Sequence, residues 1–400
     1  MKYLTRTTYL NKIINLQNTP DIKVITGMRR SGKSVLLKEF IRYLQESENE
    51  TNIIFINLQE IEFESLLEYH NLHSYIMGRY KEGAHNVVLI DEVQLCEDFE
   101  LAINSLHSKG IFDIYLTGSN AFLLSSDLAT LFTGRTMNVE VFPFSFKEYV
   151  DYHDEKDNIN ELFDSYTIEG GMPGALAYNS ISQKYDYLSD VYNTILLRDL
   201  IDKYKIRNKS EIKKISEYMM FNIGNLLSPN NICGCLNNDK VAITRKTISK
   251  YISYFENYFM FYRAKRYDLM GKKYLSNNDK YYLSDIGFRY AINGTRNLDI
   301  GRCLENMVYI ELLRRGFEVY VGKMYKKEID FVALKRSEKI YIQVSDNIFD
   351  KKTFEREITP LLMIRDAYPK MVITRSRQQE YTYEGVKIVD ITSWLLDEYL

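Results

Sequence analysis

The segment from residue 23 to residue 35 reads Lys23-Val24-Ile25-Thr26-Gly27-Met28-Arg29-Arg30-Ser31-Gly32-Lys33-Ser34-Val35. A short apolar run, which predicts a strand, leads into a turn bounded by two glycines, and an amphipathic helical pattern follows. This order of elements and the spacing match the pattern G-x-x-x-x-G-K-[ST]. The glycines allow backbone N–H groups to point into the turn, and the start of a helix adds partial positive charge. The segment therefore predicts a loop that binds phosphate groups.

Two side chains at the end of this loop predict which phosphate compound binds. Lys33 is expected to reach the β- and γ-phosphates of a nucleoside triphosphate, and Ser34 to offer its hydroxyl to Mg²⁺. ATP and Mg²⁺ are therefore the predicted ligand and cofactor. The residues predicted to contact the nucleotide are Gly27, Met28, Arg29, Arg30, Ser31, Gly32, Lys33, Ser34 and Val35.

A second motif supplies carboxylates for the same chemistry. The apolar run Val87-Val88-Leu89-Ile90 ends in Asp91 and Glu92. Parallel strands present their carboxyl ends to ligands, so both acids are expected to face the phosphate loop. Asp91 is predicted to hold Mg²⁺ through water, and Glu92 to polarise the attacking water as a general base.

Two further segments contain weaker candidates. Ser119 and Asn120 follow another apolar strand pattern, and either is predicted to sense the γ-phosphate and orient water. The alternative is an ordinary polar turn after a strand. Arg135 follows Gly134 and is equally compatible with an arginine finger, which neutralises charge in the transition state, and with a surface residue.

The apolar runs alternate with helical patterns through the first 150 residues. They occupy residues 23–26, 52–57, 86–91, 113–117 and 138–142. Continuous apolar strands separated by helices predict a parallel sheet that is covered on both faces. The predicted fold class is therefore α/β.

The composition excludes several classes of protein. The 400 residues are 45% hydrophobic and 26% charged, as expected for a globular chain with two or three domains. The formal net charge of −2 gives no overall attraction to nucleic acid, so any such contact requires a local basic face. No secretory signal and no membrane-spanning apolar stretch is recognisable, which predicts a cytoplasmic protein without membrane partners.

With these motifs in order, the chain resembles the AAA-type P-loop ATPases that contain a C-terminal DUF4143 domain and are related to archaeal-type ATPases. The resemblance spans nearly the whole chain. The motifs that carry it are residues 27–34, Leu89-Ile90-Asp91-Glu92-Val93-Gln94, Leu116-Thr117-Gly118-Ser119-Asn120, Gly134-Arg135, Phe142-Pro143-Phe144-Ser145-Phe146, Gly170-Gly171-Met172-Pro173, Glu305-Asn306 and Glu328-Ile329-Asp330-Phe331.

The resemblance implies three domains. Residues 1–150 would form the ATPase core, with an AAA-type (ASCE) parallel sheet. Residues 151–290 would form a helical lid and a winged-helix region. Residues 291–400 would form a restriction-endonuclease-like α/β domain of the PD-(D/E)xK type.

The middle region also has a pattern typical of DNA-binding proteins. Residues 210–221 and 229–236 read as two helices, and a third opens at Thr244 with several basic residues. Such a third helix is the recognition helix of helix-turn-helix proteins. Residues 244–266 are therefore a candidate DNA contact, although winged helices also bind proteins.

The nuclease-like resemblance implies a second metal site. Glu305, Asp330 and Gln343 match the acidic cluster of that fold, where carboxylates hold Mg²⁺. The lysine expected two residues after Gln343 is replaced by Ser345. Lys351 and Lys352 lie further on, and nothing in the sequence assigns them that role. The pattern favours a structural or binding version of the domain that does not cleave.

Three functions remain open on the sequence. The first is an ATP-driven conformational machine or switch, with DNA as a candidate substrate. The second is a slow regulatory ATPase that contacts protein partners, and the third is a metal-dependent nuclease gated by ATP. A homo-oligomer is compatible with all three, because AAA-type sites can be shared between subunits.

Overall fold

A computed structural model describes residues 3–46, 50–120, 132, 134–154, 156–237, 243–271, 273–294 and 299–397. The chain divides into two compact units. The first, called the N-terminal unit, contains residues 3–142 and 257–259. The second, the C-terminal unit, contains residues 143–256 and the chain from residue 260 onwards.

The N-terminal unit is built on a five-stranded parallel sheet. Its strands are β1 (Ile22–Thr26), β2 (Thr51–Asn57), β3 (His85–Asp91), β4 (Asp113–Gly118) and β5 (Thr136–Glu140). Their order across the sheet is β2-β3-β4-β1-β5, and every pair is parallel. The strand after the acidic motif, β4, therefore lies between β1 and β3. This arrangement confirms the predicted α/β class.

Helices cover both faces of this sheet. They are α1 (Thr7–Asn15), α2 (Lys33–Glu46), α3 (Tyr69–Met77) and α4 (Phe99–Ser108). Val24 and Val88 pack with α3 and α4, whereas their neighbours Ile25 and Val87 pack with α1 and α2. Because successive side chains of a strand point to opposite faces, only a fully apolar strand can serve two such cores.

Four of the predicted strands agree with the observed ones to within one residue, and the fifth is displaced. Residues 138–142 were expected, but β5 spans Thr136–Glu140. Its pairing with β1 begins at Ile22 and Thr136, where the two chains first run side by side. Beyond the strand, the N–H of Val141 still donates to the carbonyl of Thr26 at 2.8 Å, so apolar character extends past the end of β5.

The C-terminal unit begins with helices and continues into a mixed sheet. Its first elements are α5 (Phe146–His153), α6 (Ile159–Glu169), α7 (Ile181–Asn193), which continues as a π-helical segment (Thr194–Asp202), α8 (Lys209–Phe221), β6 (Leu226–Leu227), α9 (Pro229–Asn237), α10 (Arg245–Asn257), β7 (Phe261–Asp268) and β8 (Lys273–Leu283). The remaining elements are α11 (Gly287–Asn293), α12 (Ile300–Arg314), β9 (Glu318–Met324), β10 (Lys327–Lys335), β11 (Glu338–Ser345), α13 (Lys351–Leu362), β12 (Lys370–Thr374), β13 (Tyr381–Tyr383), β14 (Val386–Asp390) and α14 (Ile391–Leu396).

One sheet joins the two halves of this unit. Its strand order is β13-β14-β12-β11-β10-β9-β7-β8-β6, and β7 pairs in parallel with β9. The sheet therefore contains strands from both sides of residue 290, where a domain boundary was predicted. The division into three domains remains a prediction. Among the described residues, none of the helices combines the length and the apolar character needed to cross a bilayer.

A buried carboxylate fixes the double-glycine turn after α6. Asp285 accepts hydrogen bonds from the N–H of Gly171 at 2.6 Å and from the N–H of Gly287 at 2.9 Å. A Cβ on Gly170 would lie 1.9 Å from Asp285 Oδ1, and one on Gly171 would lie 2.2 Å from the carbonyl oxygen of Phe144. Glycine is therefore required at both positions. Burial raises the pKa of Asp285 to about 6.

Replacing Asp285 is expected to loosen this turn. In the Asp285→Asn variant only one side-chain atom can accept, so one of the two backbone N–H groups loses its partner. The expected cost is about 1–3 kcal/mol in the free energy of unfolding, measured by denaturant titration. Asp186→Asn, an exposed aspartate on α7, is the matched control and should be neutral. Equal stabilities of the two variants would contradict the assigned role of Asp285.

Candidate functional site

At Gly27, the first glycine of the loop between β1 and α2, the neighbouring backbone leaves no room for a side chain. Gly27 has a φ of 141°, and a Cβ built there would lie 2.2 Å from the carbonyl oxygen of Val141. The hydrogen bond between Val141 and Thr26 brings that carbonyl close. The pattern requires glycine at this position because the backbone after β5 runs directly against the loop.

The lysine of the loop points into its curve. The Nζ atom of Lys33 donates to the carbonyl of Gly27 at 2.9 Å and to that of Met28 at 3.0 Å, and the residue is buried. The hydroxyl of Ser31 is also buried and has no hydrogen-bond partner among the described residues. A cation and an unsatisfied hydroxyl inside a turn of backbone N–H groups are suited to bind phosphate oxygens.

A second cation supports the loop from outside the motif. Arg6 precedes α1, is 2% exposed, and donates from Nη1 to the carbonyl of Ser31 at 2.9 Å. Its guanidinium also lies 4.4 Å from the centre of the Tyr9 ring. Sequence reasoning missed Arg6, because no motif marks a residue that lies 25 positions before its partner.

The acidic motif and the phosphate loop meet. Asp91 accepts hydrogen bonds from the hydroxyls of Thr117 and Ser34. Ser34 lies in the first turn of α2, the helix after β1, whereas Asp91 ends β3, two strands away in the sheet. Burial raises the pKa of Asp91, although these two hydrogen bonds oppose the shift. The structure therefore brings the two motifs together around one point at the carboxyl edge of the sheet.

The carboxylate of Glu92 is held by two neighbours. Its Oε2 atom accepts from the hydroxyl of Ser119 at 3.1 Å and from the side-chain amide of Gln94. Its backbone has a φ of 56° and its N–H donates to the Thr117 hydroxyl at 3.0 Å. Thr117 thus contacts both acids. Thr117 and Gln94 lie within the motifs recognised in the sequence, but sequence analysis assigned them no role.

The other residues predicted for the site differ in their exposure to solvent. Asn120 directly follows Ser119 and is buried. Arg29 is half-buried, whereas Arg30 and Val35 are exposed. Arg135 is exposed and accepts from the N–H of Ile22 through its carbonyl, at the amino end of β1.

The position of Arg135 separates it from the phosphate loop of the same chain. Four residue steps of β1, about 13 Å, lie between the level of Arg135 and the loop. The structure therefore does not bring Arg135 together with the other predicted site residues.

The oxygen atoms at this point fit magnesium. Hydroxyl and carboxylate oxygens are the ligands that Mg²⁺ prefers, and Mg²⁺ commonly takes only one or two from the protein when substrate phosphates and water supply the rest. Ser34 and Asp91 offer one of each within hydrogen-bonding distance. No group of three or more His, Cys, Asp or Glu side chains suited to a metal occurs among the described residues.

Comparison with known proteins identifies both the family and the first domain. A protein of Haemophilus influenzae, named only as uncharacterized, is 35% identical over 398 residues and matches 98% of this chain and 98% of its own length. The chain belongs to the family of this Haemophilus protein. An uncharacterized protein of Methanocaldococcus jannaschii is 27% identical over 365 residues, which cover 87% of this chain and 80% of that protein. Residues 19–150 match the family described as AAA domain.

The solved structure of the Walker-type ATPase PABY2304 of Pyrococcus abyssi has the same fold. It is 15% identical, with a TM-score of 0.52, and the match covers 73% of this chain and 96% of that chain. The N-terminal unit thus has the fold of a P-loop ATPase domain. Residues 160–299 match a domain of unknown function, DUF8612. This label differs from DUF4143, so that part of the resemblance is not confirmed.

The structure places the predicted basic strip on the surface of α10 and β7. Arg245, Lys246 and Lys250 are exposed, and Thr244 caps the helix by accepting from the N–H of Thr247 at 3.2 Å. Arg263 is paired with a carboxylate instead, since its Nη2 atom lies 2.5 Å from Asp279 Oδ2.

The side chains predicted to form a second metal site contact other protein groups in the structure. Glu305 and Asp330 lie near one another, but both face the amino group of Lys280. Gln343 accepts from the N–H of Asp330 at 2.7 Å and donates to Glu357 at 2.9 Å. Both of its polar atoms make hydrogen bonds within the protein, and the role of Gln343 as a metal ligand remains a prediction.

Gly27→Ala is expected to weaken nucleotide binding. The new methyl group would push the loop away from the backbone at Val141, with a strain of about 1–3 kcal/mol at a φ that alanine disfavours. The affinity for a fluorescent ATP analogue should fall about tenfold or more. Gly234→Ala, where a Cβ meets no atom within 4 Å, is the control and should bind normally. Unchanged affinity in Gly27→Ala would contradict the assigned loop geometry.

Proposed function

We propose that the chain binds ATP with Mg²⁺ at the phosphate loop, hydrolyses it, and uses the cycle as a conformational machine or switch. The observation that carries this proposal is the hydrogen bond between Ser34 and Asp91. It joins the helix after the loop to β3, whose last residue, Asp91, directly precedes Glu92. A phosphate chain held by Lys33 would then lie beside a carboxylate able to activate water.

Each residue has a distinct part in the proposed reaction. Lys33 and the loop N–H groups bind the β- and γ-phosphates, and Ser34 and Asp91 hold Mg²⁺. When bound, Mg²⁺ supplies positive charge to the phosphate oxygens. Glu92 orients and deprotonates the attacking water. Its carboxylate is aimed by Ser119 and Gln94, which leave its other oxygen, Oε1, for the water.

The same contacts suggest how the state of the nucleotide is read. Ser119 and Asn120 directly follow β4, which lies between the strand of the loop and the strand of the acids. The hydroxyl of Ser119 can bond either to Glu92 or to a γ-phosphate. A change of partner there would move the carboxylate of Glu92 and the end of β4 together, as in other switches that respond to a γ-phosphate.

Two substitutions separate binding from hydrolysis. Glu92→Gln should retain ATP affinity and lose about 100-fold or more in turnover, because an amide cannot accept the proton of water. Lys33→Ala should lose about tenfold or more in ATP affinity, because a charged hydrogen-bond donor is removed. Binding is measured by calorimetry and turnover by phosphate release.

Glu97→Gln, an exposed acid five residues further along the chain, is the control for the loss of charge. It should match the parent protein in both measurements. If Glu92→Gln hydrolysed ATP at the parent rate, the assignment of the base would be wrong.

A second part of the proposal is that the cycle acts on DNA. The order α8, β6, α9, α10, β7 and β8 is that of a winged helix, and β6 pairs with β8 as such a fold requires. The start of α10 presents Arg245, Lys246 and Lys250 to solvent. Three exposed cations at the start of a recognition helix are suited to contact phosphates and base edges in a major groove.

The DNA contact can be tested with two triple variants that have the same net charge. Arg245→Ala, Lys246→Ala and Lys250→Ala combined should weaken binding to duplex DNA about tenfold or more and flatten its salt dependence. The control removes three exposed lysines elsewhere, Lys326, Lys351 and Lys352. Binding is measured by fluorescence anisotropy at several salt concentrations, and ATPase activity with and without DNA. Equal binding by both triple variants would favour the alternative, a slow regulatory ATPase with protein partners.

A homo-oligomer would give Arg135 a role that a single chain does not. Its exposure at the amino edge of the sheet would allow it to reach the phosphate site of a second copy as an arginine finger. ATPase activity per chain that rises with protein concentration would support this arrangement.

A further inference from the structure

A lysine side chain lies at the centre of the acidic cluster in the C-terminal unit. The Nζ atom of Lys280 is 2.8 Å from Glu305 Oε1, 2.8 Å from Glu328 Oε1 and 3.9 Å from Asp330 Oδ1. Its side chain is only 6% exposed. Glu305 also accepts a hydrogen bond from the hydroxyl of Tyr282 at 2.5 Å. Three acids on two elements, α12 and β10, therefore converge on one cation that is part of the chain.

The residues around this cluster do not fit a divalent metal. The Lys280 ammonium occupies the point between the carboxylates that a metal ion would need. The second oxygen of Asp330, Oδ2, accepts from the N–H of Val344 at 2.9 Å. Ser345, at the position where a nuclease of this type would have lysine, donates to the carbonyl of Asn347 at 2.9 Å. Asp330 and Ser345, two positions of the expected metal site, thus make hydrogen bonds to the protein backbone.

The charge on Lys280 is stabilised where it lies. Burial alone lowers the pKa of an amino group, but Glu305, Asp330 and Glu328 outweigh it and raise the pKa of Lys280 above its usual range. At the distances given above, the ammonium of Lys280 makes charge-assisted hydrogen bonds with the carboxylates of Glu305 and Glu328, which are stronger than those between neutral groups. Lys280 belongs to β8, so the cluster also ties the β7–β8 hairpin to α12 and β10 of the same unit.

We infer that Lys280 is a built-in cation that replaces the metal of this nuclease-like cluster. The cluster is an ion-paired joint between β8 and the terminal part of the sheet, and it does not cleave phosphodiester bonds. This inference does not depend on the proposed ATPase cycle. It also predicts a latent site, because removal of the ammonium leaves carboxylates with room for a divalent cation.

The test compares the parent protein with Lys280→Ala in the absence of nucleotide, with Mn²⁺ as the probe. Removing one partner of a buried ionic cluster leaves uncompensated charge, so the Tm of Lys280→Ala should fall by about 6 °C or more. Saturating Mn²⁺ should restore most of this loss in the variant and change the Tm of the parent much less. Electron paramagnetic resonance should detect one additional bound Mn²⁺ per chain in the variant.

Two controls locate the effect. Lys280→Ala combined with Asp330→Asn should lose the additional Mn²⁺, which assigns it to the cluster rather than to the phosphate loop. Lys335→Ala removes an exposed lysine from β10 and should leave both Tm and Mn²⁺ binding unchanged.

Measurements on the parent protein can overturn the inference even if Lys280→Ala fails to fold. A parent that bound Mn²⁺ in a manner abolished by Asp330→Asn would overturn the inference. So would Mn²⁺-dependent cleavage of DNA by the parent that Asp330→Asn removes. A folded Lys280→Ala variant that gained no Mn²⁺ would equally exclude a metal-like role for the ammonium.

Discussion

The hydrogen bonds around Thr117 hold the N-terminal unit together at one edge of its sheet, because they connect the ends of β3 and β4 with the first turn of α2. The hydroxyl of Thr117 donates to Asp91 and accepts from the N–H of Glu92. Asp91 also accepts from the hydroxyl of Ser34. This is possible only because β4 lies between β1 and β3, so that the carboxyl ends of the strands converge. A parallel sheet with this strand order places a hydroxyl from the central strand between the loop and the acids. The chemistry of the site follows from that placement.

The parts of this site that the sequence predicts are those with strong local constraints. A strand with both faces buried must be apolar throughout, so β1 and β3 were recognisable, and the residues after them had to lie at the ligand edge. Gly27 is required because the carbonyl of Val141 would clash with any side chain. Because such a constraint requires one residue type at one position, a sequence motif can include it. The same reasoning locates Ser119, since it follows the strand that the sheet order places in the middle.

The parts that the sequence did not predict depend on contacts between distant residues of ordinary type. Arg6 reaches Ser31 from the residue before α1, far ahead of the whole motif, and nothing in its sequence context marks it for that contact. Lys280 directly precedes Tyr281 and Tyr282 in β8, and its three acidic partners come from elements further along the chain. Both contacts depend on how elements far apart in the sequence pack together, and no short window of sequence encodes that packing.

The two acidic clusters of this chain illustrate how the position of a lysine decides the use of carboxylates. In the N-terminal unit, Lys33 bonds to carbonyls of its own loop, so its charge faces the loop and the oxygens of Ser34 and Asp91 remain suited to an ion. In the C-terminal unit, Lys280 donates directly between the acids and satisfies them. A mobile cation and a tethered one compete for the same oxygens, and the tethered one has no entropy of association to overcome. A cluster with a tethered cation is therefore stable without any ligand, whereas a cluster without one depends on what binds.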